Sequence, residues 1–151
     1  MHRNQLVSIL AAGSLALAAM GCSSAGQSAP PEDLSVVFGE GGGITGRWQG
    51  YALTSDGTLV EWSGTGISSR TEEKPLRTLD DRELKNLWSM VVELDVLKDA
   101  NATYGNMTRA IHLTENGTTH ILAWPTPVSG DAESPGQKLY AFCHSLAKGG
   151  Y

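Results

Sequence analysis

The residues with the clearest potential for chemistry are one cysteine and three histidines. Cys143 and His144 are adjacent, which pairs a nucleophile with a base. Because neighbours in a helix point about 100° apart and Cys143 falls on an apolar stripe, we expect a buried, unreactive thiol. His112 and His120 resemble a metal pair, but the hairpin register predicted below places them on opposite faces of a sheet. We therefore expect no metal site and a half-buried structural role for His120.

A glycine-rich segment, residues 39–47, offers a second kind of site. Gly41, Gly43 and Gly46 match G-x-G-x-x-G, a pattern that binds phosphates when it opens a helix. Here the chain continues into a predicted strand and the phosphate-binding lysine is absent. We predict a bend joining two strands, which is also a candidate contact with a ligand or partner. The candidate contact residues are those of the loop and its flanks: Gly41, Gly42, Gly43, Thr45, Arg47 and Trp48.

Carboxylates concentrated ahead of the first predicted helix suggest a calcium site. They are Glu72, Glu73, Asp80, Asp81 and Glu83. The D-x-D-x-D-G spacing of a calcium loop is missing. Carboxylates are favoured at helix N-termini without any ion, and Asp80 with Glu83 has the spacing of a capping box. The pattern predicts helix capping, and we expect no cofactor.

Composition and charge limit the classes of function. The chain has 151 residues with 40% hydrophobic and 18% charged side chains, as expected for one globular domain. Sixteen acidic residues outnumber eleven basic ones, and the basic residues are scattered. Binding to a phosphate backbone requires clustered Lys and Arg. We therefore expect no nucleic-acid partner.

The N-terminus has the organisation of an export signal. Arg3 precedes an apolar run of fifteen residues, 6–20, which is shorter than the roughly 20 residues that span a bilayer. Residues 18–22, Ala-Ala-Met-Gly-Cys, resemble the lipobox of bacterial lipoproteins, in which the cysteine receives diacylglycerol before cleavage. The resemblance implies a signal peptide over 1–21, a lipidated Cys22 followed by a flexible tether over 22–33, and a membrane partner bound through that lipid.

The resemblance also implies a location. Ser23 stands where an aspartate is associated with inner-membrane retention, so we expect the outer membrane, facing the periplasm, if the host is Gram-negative. Ordinary secretory cleavage near Gly21 is one alternative. A eukaryotic secreted protein is another, because Asn101, Asn106 and Asn116 each begin an Asn-x-Thr glycosylation acceptor. Only two cysteines are present, however, too few for the disulfide framework of a small secreted module.

An internal repeat predicts two β-hairpins. Residues 53–58 reappear in similar form at 113–118, and each copy centres on Asp-Gly or Asn-Gly between alternating apolar residues. With a two-residue type I′ turn, the first copy pairs Leu53 with Val60 and Tyr51 with Trp62, and turns Glu61 to the other face. The second copy has the corresponding pairs: Leu113 with His120, Ile111 with Leu122, and Arg109 with Trp124.

Each hairpin precedes a helix signal. Asp80 opens one helix, and Ser134 with Gln137 opens another that Gly149 ends. A short apolar run, residues 34–38, adds a strand. We predict one α+β domain over residues 34–151 in the order β-ββ-α-ββ-α. Its two layers are an antiparallel sheet of four to five strands and two helices on one face.

The order of motifs resembles a known family. Gly-Gly-Gly-Ile-Thr-Gly at 41–46 is followed by a Tyr-x-Leu strand at 51–53, a Leu-x-x-Leu-Trp helix at 84–88, a second hairpin and a closing helix. This order resembles the emfourin-type inhibitors of metalloproteases, small α+β proteins with a Gly-Gly-aromatic-small-Gly start. Ile44 stands where that family tends to have an aromatic residue. The resemblance implies that the glycine loop is a contact surface.

Three functions fit these patterns. The first is a non-enzymatic envelope lipoprotein that binds a protein partner, with a protease as one candidate, through the glycine loop and the neighbouring strand edge. The second is a small periplasmic hydrolase or ligand-binding enzyme, which requires polar groups that converge in a pocket. The third is a purely structural role in the envelope.

Overall fold

The computed structural model describes residues 29–98, 100–127 and 133–149, so Cys22 and most of the predicted tether lie outside the described residues. An antiparallel sheet and two helices make this a mixed α+β domain, as predicted. The elements are β1 (Ser35–Gly42), β2 (Arg47–Leu53), β3 (Thr58–Gly66), β4 (Ser69–Thr78), α1 (Asp81–Glu93), β5 (Met107–Glu115), β6 (Thr118–Thr126) and α2 (Pro135–Ala147).

The sheet has six strands in the order β4-β3-β2-β1-β5-β6. The prediction of four to five strands was wrong because it lacked β4. This strand has the sequence SRTEEKPLRT, and nine of its ten residues are exposed. It therefore shows no apolar alternation. Charged side chains and Pro75 are typical of a sheet edge, where they discourage pairing with another chain.

The second hairpin, β5–β6, has the predicted register. Leu113 pairs with His120 and Ile111 with Leu122. Its turn residues, Asn116 and Gly117, have φ values of 47° and 75°. Positive φ at both central positions is the requirement of a type I′ turn, so the two-residue turn is confirmed.

The first hairpin, β2–β3, is shifted by one residue from the predicted register. Leu53 pairs with Leu59 and Tyr51 with Glu61, in place of Val60 and Trp62. In the turn only Gly57 has a positive φ, of 82°, and its amide donates to the Thr54 carbonyl at 2.9 Å. This is a three-residue turn with a glycine bulge. The shift moves Trp62 to one face of the sheet and Glu61 to the other.

The helix side of the sheet carries the main core. Both helices pack on it, as predicted, and one buried cluster joins their apolar residues to the sheet. The sheet contributes Val36, Phe38, Leu53, Leu59, Ile111, Leu113 and Leu122. The opposite side, here called the outer side, has a smaller cluster of Ala52, Val60 and Trp62. Trp62 is only 2% exposed there.

The helices begin at the predicted residues. Asp80 caps α1 in a capping box with Glu83, and Ser134 caps α2 with Gln137. Between α1 and β5, residues 101–103 run beside the free edge of β6, where the Thr103 amide donates to the Ala123 carbonyl at 2.9 Å. Of the helices that the structure describes, neither has the length and apolar content required to cross a membrane.

Candidate functional site

The tip of the β1–β2 hairpin, residues 43–46, projects the most exposed large apolar side chain of the described chain. Ile44 has a relative exposure of 107%. The backbone beneath it is held at two points, since the Gly43 amide donates to Asn106 O at 2.6 Å and the Gly46 amide to Gly43 O at 3.2 Å. Both glycines have positive φ, 67° and 59°, which other residues adopt at a cost. The tip therefore presents Ile44 on a defined backbone.

The structure brings four of the six predicted contact residues to this tip and its rim. Gly42, Gly43, Thr45 and Arg47 lie there, and the segment is a bend between strands, as predicted. The other two, described next, have structural roles.

Gly41 and Trp48 pack against each other beneath the tip. Gly41 is buried, and a Cβ on it would lie 2.3 Å from the Trp48 ring. Trp48 was predicted as a contact residue, but it is half-buried and packs on the cluster of the outer side. The missing Cβ of Gly41 makes room for the indole, so these two residues support the hairpin rather than its exposed surface.

The predicted burial of Cys143 and the predicted placement of His112 and His120 on opposite faces of the sheet are confirmed. Cys143 is buried, and burial raises its thiol pKa to about 12. His112 pairs with Ile121 and His120 with Leu113, which places the two histidines on opposite faces. His120 is 19% exposed and lies 3.2 Å from the Glu115 carboxylate. Within the described ranges, no group of three or more His, Cys, Asp or Glu side chains is arranged to hold a metal.

Asp80 and Glu83 cap α1, as predicted. The Glu83 amide donates to Asp80 Oδ1 at 2.8 Å, and Glu83 accepts in turn from the Asp80 amide at 3.0 Å. Glu83 also accepts two hydrogen bonds from the Arg77 guanidinium. Those bonds are the main cause of the lowered pKa of Glu83. The carboxylates of Asp80 and Glu83 therefore have their hydrogen-bond partners within the fold.

A cleft on the helix side is a feature that the sequence interpretation missed. Its floor is formed by β1, β2 and β3, and its wall by α2. The volume is about 140 Å³, and the lining residues are Glu40, Gln49, Gly50, Tyr51, Glu61, Tyr140 and His144. The cleft depends on the shifted β2–β3 register, because only that register places Glu61 beside Tyr51 on the helix side.

Aromatic rings and one ion pair build the inner end of the cleft. Arg109 Nε donates to Glu40 Oε2 at 3.0 Å, and the Arg109 guanidinium lies 5.4 Å from the Tyr140 ring centroid. Tyr140 stacks on His144 with ring centroids 6.2 Å apart. His144 also meets the Tyr51 ring edge-on at 5.6 Å. The rings hold each other in place, so the inner end is preorganised.

The titratable groups of the α2 wall stay neutral near pH 7. Burial, followed by the Glu40 charge, raises the Tyr140 pKa to about 12. Burial also lowers the His144 pKa, and the Lys148 charge adds to that effect. One signal for this wall was present in the sequence, because Tyr140 and His144 are four residues apart and share a helix face.

The opposite end of the sheet is closed by the start of the described chain. Asp33 accepts hydrogen bonds from the Asn116 amide at 2.8 Å and the Gly117 amide at 2.6 Å. These bonds are the main cause of its lowered pKa. The hydrogen bonds of Asp33 are here called the Asp33 latch. Since β1 runs for eight residues from Ser35 to Gly42, roughly 25 Å of strand separates the Asp33 latch from the hairpin tip. The chain thus enters the domain at the end away from Ile44.

The chain matches no known protein-family model and has no significant match among curated proteins.

Proposed function

We propose that the protein is a non-enzymatic, lipid-anchored protein of the bacterial envelope that binds a protein partner through the β1–β2 hairpin tip. The observation that carries this proposal is Ile44, fully exposed on a hydrogen-bonded hairpin. A buried apolar anchor at the centre of an interface supplies much of its binding energy. Because the tip is fixed beforehand, little conformational entropy is lost when it docks.

The proposed partner has an apolar pocket that accepts one branched aliphatic side chain. Arg47 flanks Ile44 in the same exposed segment and provides a polar rim. A protease with an apolar specificity pocket fits this description. The resemblance of residues 41–46 to inhibitors of metalloproteases also supports a protease as the partner.

The proposed anchor agrees with the position of the tip. If lipid is attached at Cys22, the tether enters at the Asp33 latch, roughly 25 Å of strand away from Ile44. A tip at the far end faces outward, towards other proteins of the envelope. A Cys22→Ser precursor should lose fatty-acid labelling and its membrane fraction. Continued labelling of that variant would refute lipidation at this residue.

Site-specific crosslinking tests the contact itself. A photoreactive phenylalanine derivative at position 44 of the full chain, irradiated in host cells, should give one discrete adduct. The same group at Ile121, an exposed strand residue that is 38% accessible, serves as the matched control and should not give that adduct. The adduct at position 44 should disappear when Arg47 is also changed to Glu. Identical adducts from positions 44 and 121 would exclude the tip as the specific contact.

A further inference from the structure

The cleft beside α2 has an excess of negative charge and no basic residue of its own. Its described lining includes the carboxylates of Glu40 and Glu61 but no lysine or arginine. Arg109 pairs with Glu40 from the neighbouring strand β5, whereas the Glu61 carboxylate has no ion pair among the described residues. A concave surface lined by charge of one sign concentrates the electric field within it. The cleft is therefore a favourable place for a cation.

The inner end of the cleft shows how this surface holds a cation. The Arg109 guanidinium lies between the Glu40 carboxylate, at 3.0 Å, and the Tyr140 ring, at 5.4 Å from its centroid. A carboxylate on one side and an aromatic ring on the other is the arrangement that stabilises ammonium and guanidinium groups.

The same combination of a carboxylate and an aromatic ring occurs at the outer end of the cleft, where no described side chain takes the place of the cation. Glu61 and Tyr51 are directly opposite each other on β3 and β2, which brings their side chains into contact range. Lys74 is opposite Glu61 on β4, but within the described part of the chain no ion pair joins the two. The Tyr51 ring is fixed by Phe38 at 5.5 Å and His144 at 5.6 Å.

The geometry points to a binding site at this outer end for one ammonium or guanidinium group, held by the Glu61 carboxylate and the Tyr51 ring. The volume of about 140 Å³ admits such a group with part of its alkyl chain, since a water molecule takes about 30 Å³ of liquid. Neutral His144 contributes a hydrogen-bond acceptor without repelling the cation. The site stands independently of the proposed tip contact.

Titration of the full chain in a non-ionic detergent with arginine amide that is acetylated at its α-amino group, called arginine amide below, tests this inference. Calorimetry should show saturable binding that weakens as salt is added. Citrulline amide, acetylated in the same way, has the same shape without the guanidinium charge and should not bind. The Glu61→Gln variant should bind arginine amide about fivefold more weakly, as should Tyr51→Leu, which keeps an apolar side chain. Glu93→Gln removes the same charge from an exposed position at the end of α1 and should leave binding unchanged.

Two measurements show whether each variant is folded and where arginine amide binds. Each variant's melting temperature shows whether it is folded. In the wild-type chain, NMR shifts induced by arginine amide should be largest at Tyr51, Glu61 and His144. The inference is overturned if no saturable binding occurs, if citrulline amide binds equally well, or if the loss in Glu61→Gln equals that in Glu93→Gln.

The source of the cation is distinguished by a second probe. Millimolar affinity for arginine amide, without improvement for spermidine, supports a single basic side chain of a protein partner as the natural occupant. Micromolar affinity for spermidine supports a free polyamine. The first outcome would place the contact on the same hairpin as the tip, since Tyr51 lies on β2.

Discussion

A substitution at Gly39, in the middle of β1, tests the β2–β3 register on which the cleft depends. Gly39 pairs with Gly50 and Ala110 on either side, and the Trp62 indole lies over it on the outer side. A Cβ at position 39 would come within 2.4 Å of the Gln49 carbonyl oxygen and 2.9 Å of Trp62 Cζ2. Neither atom can move away easily, because the carbonyl belongs to the β1–β2 ladder and the indole is buried.

The expected cost of Gly39→Ala follows from these contacts. Overpacking of a well-filled site costs about 1–3 kcal/mol, and the lower entropy of the unfolded alanine chain offsets about 0.4–1 kcal/mol of that. We expect the upper part of the range, because one of the two close contacts is to backbone. A net loss of about 2 kcal/mol lowers the melting temperature of a domain of this size by about 8 °C.

Thermal and urea unfolding, followed by circular dichroism and tryptophan fluorescence, measure this cost. Gly66→Ala is the matched control, because it adds the same methyl group in the same sheet and the nearest atom, Ser69 Cβ, is at 3.9 Å. The control should keep or slightly raise the melting temperature. If Gly39→Ala melted within about 2 °C of the wild type, Trp62 would not lie over Gly39. The β2–β3 register, and with it the cleft, would then be wrong.

Three further predictions concern a turn, an ion pair and the buried thiol. Gly117→Ala should lower the free energy of unfolding in urea by about 1–2 kcal/mol. The φ of Gly117 is 75° and no atom lies within 4 Å of the added Cβ, so the cost comes from backbone strain alone. An unchanged free energy of unfolding would contradict the type I′ turn. Hydrogen bonds from Arg77 depress the Glu83 pKa below the ordinary glutamate value of 4.5. The contribution of Glu83 to stability is therefore complete above that pH and is lost as the pH falls through the folded pKa. Glu83→Gln should therefore flatten the decline of the urea midpoint between about pH 5 and pH 3, whereas a wild-type slope would show that the pair does not contribute. In a Cys22→Ser chain, Cys143 should react with a disulfide reagent only after unfolding, because burial raises the Cys143 pKa to about 12. Fast labelling of the native protein would refute the burial of Cys143.

Local chemistry made the helices and the second hairpin predictable. Asp80 and Ser134 each begin a reciprocal cap that can be read from a four-residue pattern. Asn116 and Gly117 both accept positive φ. For these elements, the interactions that decide the structure lie within a few residues, so the sequence contains most of the necessary information.

The first hairpin shows why the same kind of motif gave a different turn. Asp56 Oδ1 accepts hydrogen bonds from Thr54 Oγ1 at 2.5 Å and from the Thr58 amide at 3.0 Å, and these bonds favour the three-residue turn. The corresponding turn of the second hairpin instead donates two amides to Asp33, more than eighty residues earlier in the chain. A tertiary contact of that kind cannot be read from the repeat alone.

The missed strand and the missed cleft have a common origin. β4 is an exposed edge strand whose pairing is set by β3, so its own side chains have no pattern to detect. The cleft combines three strands with α2, and its position follows from strand order and register. A one-residue error in one turn transfers Glu61 to the wrong face and removes one of the two acidic residues from the cleft lining.

The two candidate sites share the β1–β2 hairpin, and this sharing allows their roles to be separated by experiment. The tip depends on Gly43 and Gly46, whereas the cleft depends on Glu40 and Tyr51 further along the same strands. An Ile44→Ser chain should lose the partner contact and still bind arginine amide, because the exposed side chain of Ile44 supports neither carboxylate. Glu61→Gln should show the reverse if the natural ligand is a free polyamine. If a partner's basic side chain fills the cleft, Glu61→Gln should weaken partner binding as well, and that dependence would join the tip and the cleft into one interface.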